Sequence, residues 1–157
     1  MTRWAPYYLS ALRIVVGVLF ALHGAATFWG FLGGHRASPE IFAWPSWWGA
    51  LIQLVGGLLI ALGLATRPAA VIASGSMAYA YFFFHAGDGL SPLANDGELS
   101  VLYCWVLLLF AFTGPGPVGL DAAIGRLRGR GVARDAGAGK ESPSGIADER
   151  DAAESTV

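Results

Sequence analysis

Long apolar stretches separated by short turn-forming segments make up the chain as far as about residue 124. The stretches 47–65 and 68–84 carry no charged residue, and only Thr66 and Arg67 separate them. A helix of about 20 apolar residues crosses a hydrocarbon core of about 30 Å, and backbone polar groups in lipid must be satisfied within the helix. The pattern predicts an all-α fold, a polytopic membrane four-helix bundle with helices over about 9–32, 47–65, 68–85 and 98–113.

The composition also favours a membrane protein. Of the 157 residues, 55% are hydrophobic and 13% are charged, whereas about 25% are charged in a soluble domain. The net charge of −1 offers no basic surface, so we exclude a nucleic-acid partner and expect the lipid bilayer as surroundings. The single cysteine, Cys104, excludes an internal disulfide, a CxxC pair and a four-cysteine metal site, and we predict no metal site.

Arginines mark one side of the predicted bundle. Arg3 and Arg13 lie at the start of the first helix, and Arg67 lies between the second and the third. More arginines follow the fourth helix, whereas the loop 88–98 has none. By the positive-inside rule we expect both termini to face the cytoplasm. Arg36 is the exception, because it lies in a loop that this orientation places outside. We expect Arg13 to extend its head group to the inner interface rather than to bind a buried partner.

The C-terminal segment differs in composition from the rest. From about Gly125 the chain consists mainly of Gly, Ala, Ser, Arg and acidic residues, without an aromatic residue. Such a segment cannot bury enough apolar surface to fold by itself. The sequence therefore predicts a transmembrane domain over 1–124 and a disordered cytoplasmic tail over 125–157.

Small residues repeat at helical spacing on two of the predicted helices. The first helix carries Gly17, Ala21 and Gly24 on one face. The second carries a stripe of small and polar residues, made of Gly49, Gln53, Gly56, Ile60 and Gly63. Such faces let helices approach closely in lipid, so we expect both to face protein. They allow a homo-oligomer as readily as packing within one chain.

A few polar side chains fall in the outer half of the predicted bundle. Because ionisable groups inside a membrane are costly, each is a candidate functional residue. The predicted ligand-binding residues are His23, Gln53, His85, Asn95 and Glu98. A cluster of this kind suits a quinone head group, since its two carbonyl oxygens need donors. Histidine can donate and shuttle a proton, and a carboxylate can relay it.

Structural roles for the same residues stay open. His23 could instead bond to a neighbouring carbonyl or to Gln53, and Gln53 could simply bind two helices together. His85 and Glu98 suit the macrodipoles at their helix ends, and Asn95 or Asp96 could cap the fourth helix. Haem is disfavoured, because His23 and His85 lie at different depths. We assign no catalytic residue.

Five short motifs carry a resemblance to a known family. They are Leu12-Arg13-Ile14 followed by His23-Gly24, QLVGGLL (Gln53–Leu59), GLATRPAA (Gly63–Ala70), NDGE (Asn95–Glu98) and GPG (Gly114–Gly116). In this order, over about 9–121, the chain resembles the DoxX family. The resemblance implies a bacterial or archaeal four-helix membrane protein. Some members resemble subunits of quinone-linked sulfur or respiratory oxidoreductases, and many have no assigned activity. Many relatives carry Glu where this chain has Gln53.

The functional expectation follows mainly from the resemblance. We expect an accessory subunit of a quinone-linked membrane oxidoreductase in the prokaryotic cytoplasmic (inner) membrane. Redox centres would come from partner subunits, so the chain is at most a non-autonomous part of an enzyme. No cofactor is expected to be bound covalently, and a quinone is the expected ligand. The alternative is a non-enzymatic membrane scaffold or a small-molecule carrier.

Overall fold

A computed structural model describes residues 2–30 and 39–126 of the protein. Every regular element in these ranges is helical, which confirms the predicted all-α class for this part of the chain. A 3₁₀ turn, Thr2–Trp4, leads into helix α1, Ala5–Trp29. The further continuous helices are α2, Ser46–Leu62; α3, Thr66–Asp88; and α4, Glu98–Thr113.

Two of these helices contain a π-helical turn. In α2, the π turn Ile52–Gly56 separates the α-helical pieces Ser46–Leu51 and Gly57–Leu62. In α3, the α-helical piece Thr66–Ala80 is followed by the π turn Tyr81–His85 and by the 3₁₀ turn Ala86–Asp88. Helices α1 and α3 are long and apolar enough to cross a membrane, and α2 and α4 are shorter apolar helices.

The ends of α1 differ from the sequence-based bounds. The helix begins at Ala5 rather than near Leu9, because Pro6 occupies its first turn. A proline there has a φ suited to the helix and lacks an N–H that would be unsatisfied anyway. The helix ends at Trp29 because Gly30 takes the left-handed conformation (φ 65°) and its N–H donates to Ala26 O.

Helices α1 and α2 pack with their backbones in direct contact. A Cβ atom added to Gly17 would lie 2.6 Å from the backbone nitrogen of Ala61. One added to Gly24 would lie 2.5 Å from the nitrogen of Leu54. Only glycine fits at either position, so the predicted small-residue face of α1 does pack against protein. In α2, Gly56 and Ile60 of the predicted stripe are also buried.

The distribution of apolar side chains is typical of a protein surrounded by lipid. A core of large and small apolar residues lies between the helices, formed by Phe20, Ile60, Ala69, Ala70, Ala73, Met77, Leu107 and Phe110. Large apolar side chains also cover the outside, among them Val15, Leu102, Trp105 and Phe112. Contiguous exposed apolar surface on this scale is rare on soluble monomers.

The predicted extension of Arg13 to the interface is wrong. Its side chain is only 1% exposed. Nε donates to Pro115 O at 3.0 Å and Nη1 to Ala61 O at 2.8 Å. The carbonyls of Ile60 and Val118 accept two further bonds. The last carbonyls of a helix have no partner within it, so the end of α2 offers acceptors that keep the buried guanidinium satisfied.

Asp121 stabilises the turn between α2 and α3 from a distant part of the sequence. Its carboxylate accepts the backbone N–H groups of Ala65 at 3.1 Å and Thr66 at 3.2 Å. Its own N–H donates to Gly63 O at 2.9 Å. The first N–H groups of a helix lack partners within it and carry partial positive charge. The carboxylate therefore caps the start of α3.

The part of the chain up to Ala123 forms one compact unit. The end of this unit falls next to the predicted boundary after residue 124. The predicted disorder of the tail concerns residues that, from 127 onward, lie outside the described ranges. Arg36, the exception to the positive-inside rule, also lies outside the described ranges.

Candidate functional site

A cavity of about 660 Å³ lies at the end of the helices where α1 and α3 finish and α2 and α4 begin. All four helices contribute to its lining, together with the segment before α2. Its size falls within the range of about 300–1,000 Å³ that is usual for small-molecule sites.

The cavity brings together three of the five predicted ligand-binding residues. His23 from α1, Gln53 from α2 and His85 from α3 all line it. Asn95 is not in its lining, although it contacts His85 as described below. Glu98 is exposed and lines a separate hollow on the outer face of α4. The side chains of His23, Gln53 and His85 therefore lie around one cavity, as expected, whereas the carboxylate of Glu98 does not.

Both Gln53 and His85 lie in π-helical turns. Gln53 belongs to the turn Ile52–Gly56, and His85 ends the turn Tyr81–His85. Short π turns inside α-helices are rare and occur frequently at functional sites. Sequence analysis missed both, because the segments around them are apolar on every side and show no break in periodicity.

The ring of His85 is oriented by the loop before α4. Its Nδ1 lies 2.9 Å from the backbone oxygen of Asn95. A carbonyl oxygen only accepts hydrogen bonds, so Nδ1 must carry the hydrogen and donate it. Nε2 has no hydrogen-bond partner among the described residues. It can therefore accept a hydrogen bond from a ligand when the ring is neutral, or donate one when the ring is protonated.

Asn95 acts within its own loop. Its buried side-chain Nδ2 donates to Gly89 O at 2.7 Å, and its Oδ1 accepts the N–H of Gly97 at 2.9 Å. The hydroxyl of Tyr81 donates to Leu90 O at 2.8 Å and ties the same loop to α3. No side chain caps α4 by a hydrogen bond, so neither Asn95 nor Asp96 has the capping role that the sequence left open. Asn95 instead fixes the carbonyl that holds His85.

His23 and Gln53 present polar groups where α1 and α2 meet. The imidazole of His23 makes no hydrogen bond with a described residue, and Thr27 Oγ1 donates to the backbone oxygen of His23 at 3.0 Å. A Cβ added to Gly24 would lie 3.0 Å from the Cβ of Gln53, so the amide side chain begins directly beside α1. Both side chains remain available to a ligand.

The rest of the lining is largely apolar and aromatic. Phe20 and Tyr103 lie with ring centroids 5.3 Å apart at the inner end of the cavity, and Phe20 is fully buried. Trp44 and Tyr79 form an edge-on pair at 5.6 Å near its outer end. Among the described lining residues there is no Asp, Glu, Lys or Arg. The cavity suits an uncharged, largely apolar molecule with a few hydrogen-bonding groups rather than an ion.

Histidine, cysteine and acidic side chains do not cluster within the described ranges. The described residues contain no group of three or more His, Cys, Asp or Glu side chains placed to hold a metal ion. The free cysteine, Cys104, lies in α4 with its sulfur 3.5 Å from Ser74 Oγ. The same hydroxyl donates to Cys104 O at 2.8 Å and thereby connects α3 to α4.

Several known bacterial proteins are similar to this chain. An uncharacterized protein of Haemophilus influenzae is 45% identical over 130 residues, which cover 77% of this chain and 93% of the relative. The inner membrane protein YphA of Escherichia coli is 30% identical, over 74% of this chain and 89% of the relative. The putative oxidoreductase CatD of Bacillus subtilis is 28% identical, over 72% and 84%.

No solved structure matches the chain. The family model of DoxX matches residues 8–86, which include nearly all of α1, all of α2, nearly all of α3 and the three polar residues of the cavity. Together with the apolar exterior, this match shows that the chain is a membrane protein and belongs to the DoxX family.

Proposed function

We propose that the protein is an accessory subunit of a quinone-linked membrane oxidoreductase and that its cavity binds the quinone head group. The observation that carries this proposal is the cavity itself, which combines an apolar, uncharged lining with the side chains of His23, Gln53 and His85. A membrane scaffold needs no such cavity. The name of the Bacillus subtilis relative, a putative oxidoreductase, agrees with the proposal.

The donor set fits a quinone. A quinone has two carbonyl oxygens on opposite sides of a flat ring, and each can accept a hydrogen bond. The amide of Gln53 can donate one, and the ring of His23 can donate from whichever nitrogen carries its hydrogen. His85 directs its Nδ1 hydrogen to Asn95 O, so it can donate from Nε2 only when the ring is protonated. A bound quinone would accept electrons supplied by a partner subunit. The histidines would hold or pass the protons that accompany them.

The proposed topology places four crossings in the inner membrane, with both termini in the cytoplasm. Arg3 and Arg67 support this orientation under the positive-inside rule, and the Escherichia coli relatives are named inner membrane proteins. At about 1.5 Å per residue, α2 and α4 measure roughly 25 Å. They can cross where the bilayer is locally thinned.

A homo-oligomer is a separate part of the proposal. Gly17 and Gly24 on α1 pack against the backbone of α2 in the same chain, so they are not free to contact a second copy. Gly75 on α3 has no heavy atom within 4 Å of its added Cβ position. Of these small residues, Gly75 is thus the one that faces outward and could meet a second copy.

The test is gentle purification of the protein from its native membrane, with measurement of co-purifying proteins and extracted quinone. The key variant is His85→Ala, and the matched control is Phe82→Ala, an exposed residue of the same π turn outside the cavity lining. We expect a redox enzyme and quinone with the unsubstituted protein and with Phe82→Ala. His85→Ala should lose the quinone while remaining folded. Recovery of the protein with neither would support a scaffold or carrier instead.

A further inference from the structure

We infer that the cavity receives its ligand sideways from the lipid phase, through an opening between α2 and α3 beside Ile72. The ligand class that follows is a membrane-dissolved amphiphile whose polar head lies near His85 and whose apolar tail passes Ile72 into the bilayer. The inference rests on the proposed ligand-binding function of the cavity and adds the route of entry and the need for a tail.

Ile72 belongs both to the cavity and to the outside of the protein. Its side chain lines the cavity and is also 59% exposed. A side chain with both properties is expected where a cavity opens to the outer surface of the protein. The neighbouring Val71 is exposed to a similar extent, 55%, but does not line the cavity. The opening is therefore specific to the side of α3 that carries Ile72.

The opening lies within the apolar part of α3, away from the helix ends. At about 1.5 Å per residue, Ile72 is roughly 9 Å from the start of the helix and roughly 20 Å from His85. Helix α3 is one of the two helices long and apolar enough to cross a membrane. Since the hydrocarbon core is about 30 Å thick, Ile72 faces acyl chains rather than water.

Helices α2 and α3 touch at one point and separate from there toward the cavity mouth. A Cβ added to Gly56 on α2 would lie 3.7 Å from the Cβ of Ala73 on α3, which is ordinary van der Waals contact. Further toward the cavity mouth, a Cβ added to Gly49 would meet no heavy atom within 4 Å, although Gly49 lines the cavity. The helices thus touch at Ala73 and leave space from there toward the cavity mouth. Ile72, the residue before Ala73, lines the end of this space that is farthest from the mouth.

The wall beside the opening is apolar. Ile52 lines the cavity from α2, and Met77 lines it from α3. Ser76 also lines it, but its hydroxyl donates to Ala73 O of its own helix at 2.8 Å. That bond satisfies the hydroxyl within α3 and leaves the passage suited to a hydrocarbon tail. The polar groups of Gln53 and His85 lie in the π turns of the same two helices.

The test compares two quinone probes with the full chain in phosphatidylcholine nanodiscs. One probe is ubiquinone with its long isoprenoid tail, and the other is the same dimethoxy-methyl-benzoquinone ring without a tail. Ile72→Trp narrows the opening, and Val71→Trp is the matched control on the adjacent exposed position. Ile72→Ala is the complementary variant that widens it.

We expect Ile72→Trp to weaken binding of the long-tailed probe about tenfold while changing binding of the tailless ring less than twofold. Val71→Trp and Ile72→Ala should bind the long-tailed probe at least as well as the unsubstituted protein. Unchanged binding of the long-tailed probe by Ile72→Trp would overturn the lateral route and leave the quinone proposal standing. An equal loss of both probes would also overturn it. Absence of binding by the unsubstituted protein would overturn both proposals.

Discussion

The Nδ1 atom of His85 lies 2.9 Å from the backbone carbonyl oxygen of Asn95. This bond joins the end of α3 to the loop that leads into α4, and it directs the hydrogen of the ring to Nδ1. As a result Nε2 is the nitrogen left for a ligand. The candidate site thus depends on a loop whose residues do not themselves line the cavity.

Asn95→Ala should weaken the site indirectly. Its side chain makes two hydrogen bonds that hold the loop, and loss of a buried bonded partner costs about 1–3 kcal/mol. We expect a lower thermal unfolding midpoint in detergent and weaker quinone binding. Ser91→Ala in the same loop, whose side chain is exposed, is the control. Equal midpoints for the two variants would show that the Asn95 bonds do not hold the loop.

Glu98→Gln should leave quinone binding unchanged. The sequence groups Glu98 with the two histidines, but in the structure its side chain lies outside the cavity lining. Binding of ubiquinone to the purified protein should therefore agree with that of the unsubstituted chain within about twofold. A larger loss for Glu98→Gln than for His85→Ala would place the site on the outer face of α4.

Arg13→Lys should destabilise the fold although it keeps the charge. The guanidinium reaches the end of α2 and the segment 115–118 at the same time, and a single ammonium group cannot reproduce that fork. We expect a loss of about 2 kcal/mol in the free energy of unfolding. Arg3→Lys, at an exposed position that contacts the ring of Trp4, should change it by less than about 0.5 kcal/mol. Unfolding in detergent, followed by circular dichroism, gives both values.

Gly17→Ala and Gly75→Ala should have opposite effects. A Cβ at position 17 meets the backbone of α2 at 2.6 Å, whereas one at position 75 meets nothing within 4 Å. The first variant must separate α1 from α2. The second should stabilise α3 by about 0.5–1 kcal/mol, because alanine is the better helix former. Thermal melts of both variants decide the matter, and equal melting temperatures would contradict the close α1–α2 contact.

Depth along each helix could be predicted from the sequence, but rotation about the helix axis could not. The sequence predicts that His85 and Glu98 lie near the same end of the helices, and the structure has His85 at the end of the π turn of α3 and Glu98 at the start of α4. Which way each side chain faces depends on packing between helices and on local geometry. The π turn Tyr81–His85 changes the direction in which the side chain of His85 points. The apolar sequence around it contains no pattern that would predict the turn.

Contacts between segments that are distant in the sequence could not be predicted either. The repeat of Gly17 and Gly24 at helical spacing predicts that this face of α1 packs against protein, but it does not identify α2 as the partner. The partners of Arg13 could not be predicted, since Pro115 lies 102 positions away in the sequence. A buried arginine is favourable only when several acceptors surround it, and those acceptors exist only in the folded chain.

Photolabelling tests the central claim most directly. A ubiquinone analogue with a photoreactive group on the ring would be added to the full chain in nanodiscs, and the labelled residues would be located by mass spectrometry. We expect labels on the π turns that contain Gln53 and His85, and competition by unlabelled ubiquinone. Labels confined to the outer face of α4, or labels that unlabelled ubiquinone does not reduce, would contradict a quinone site in the cavity.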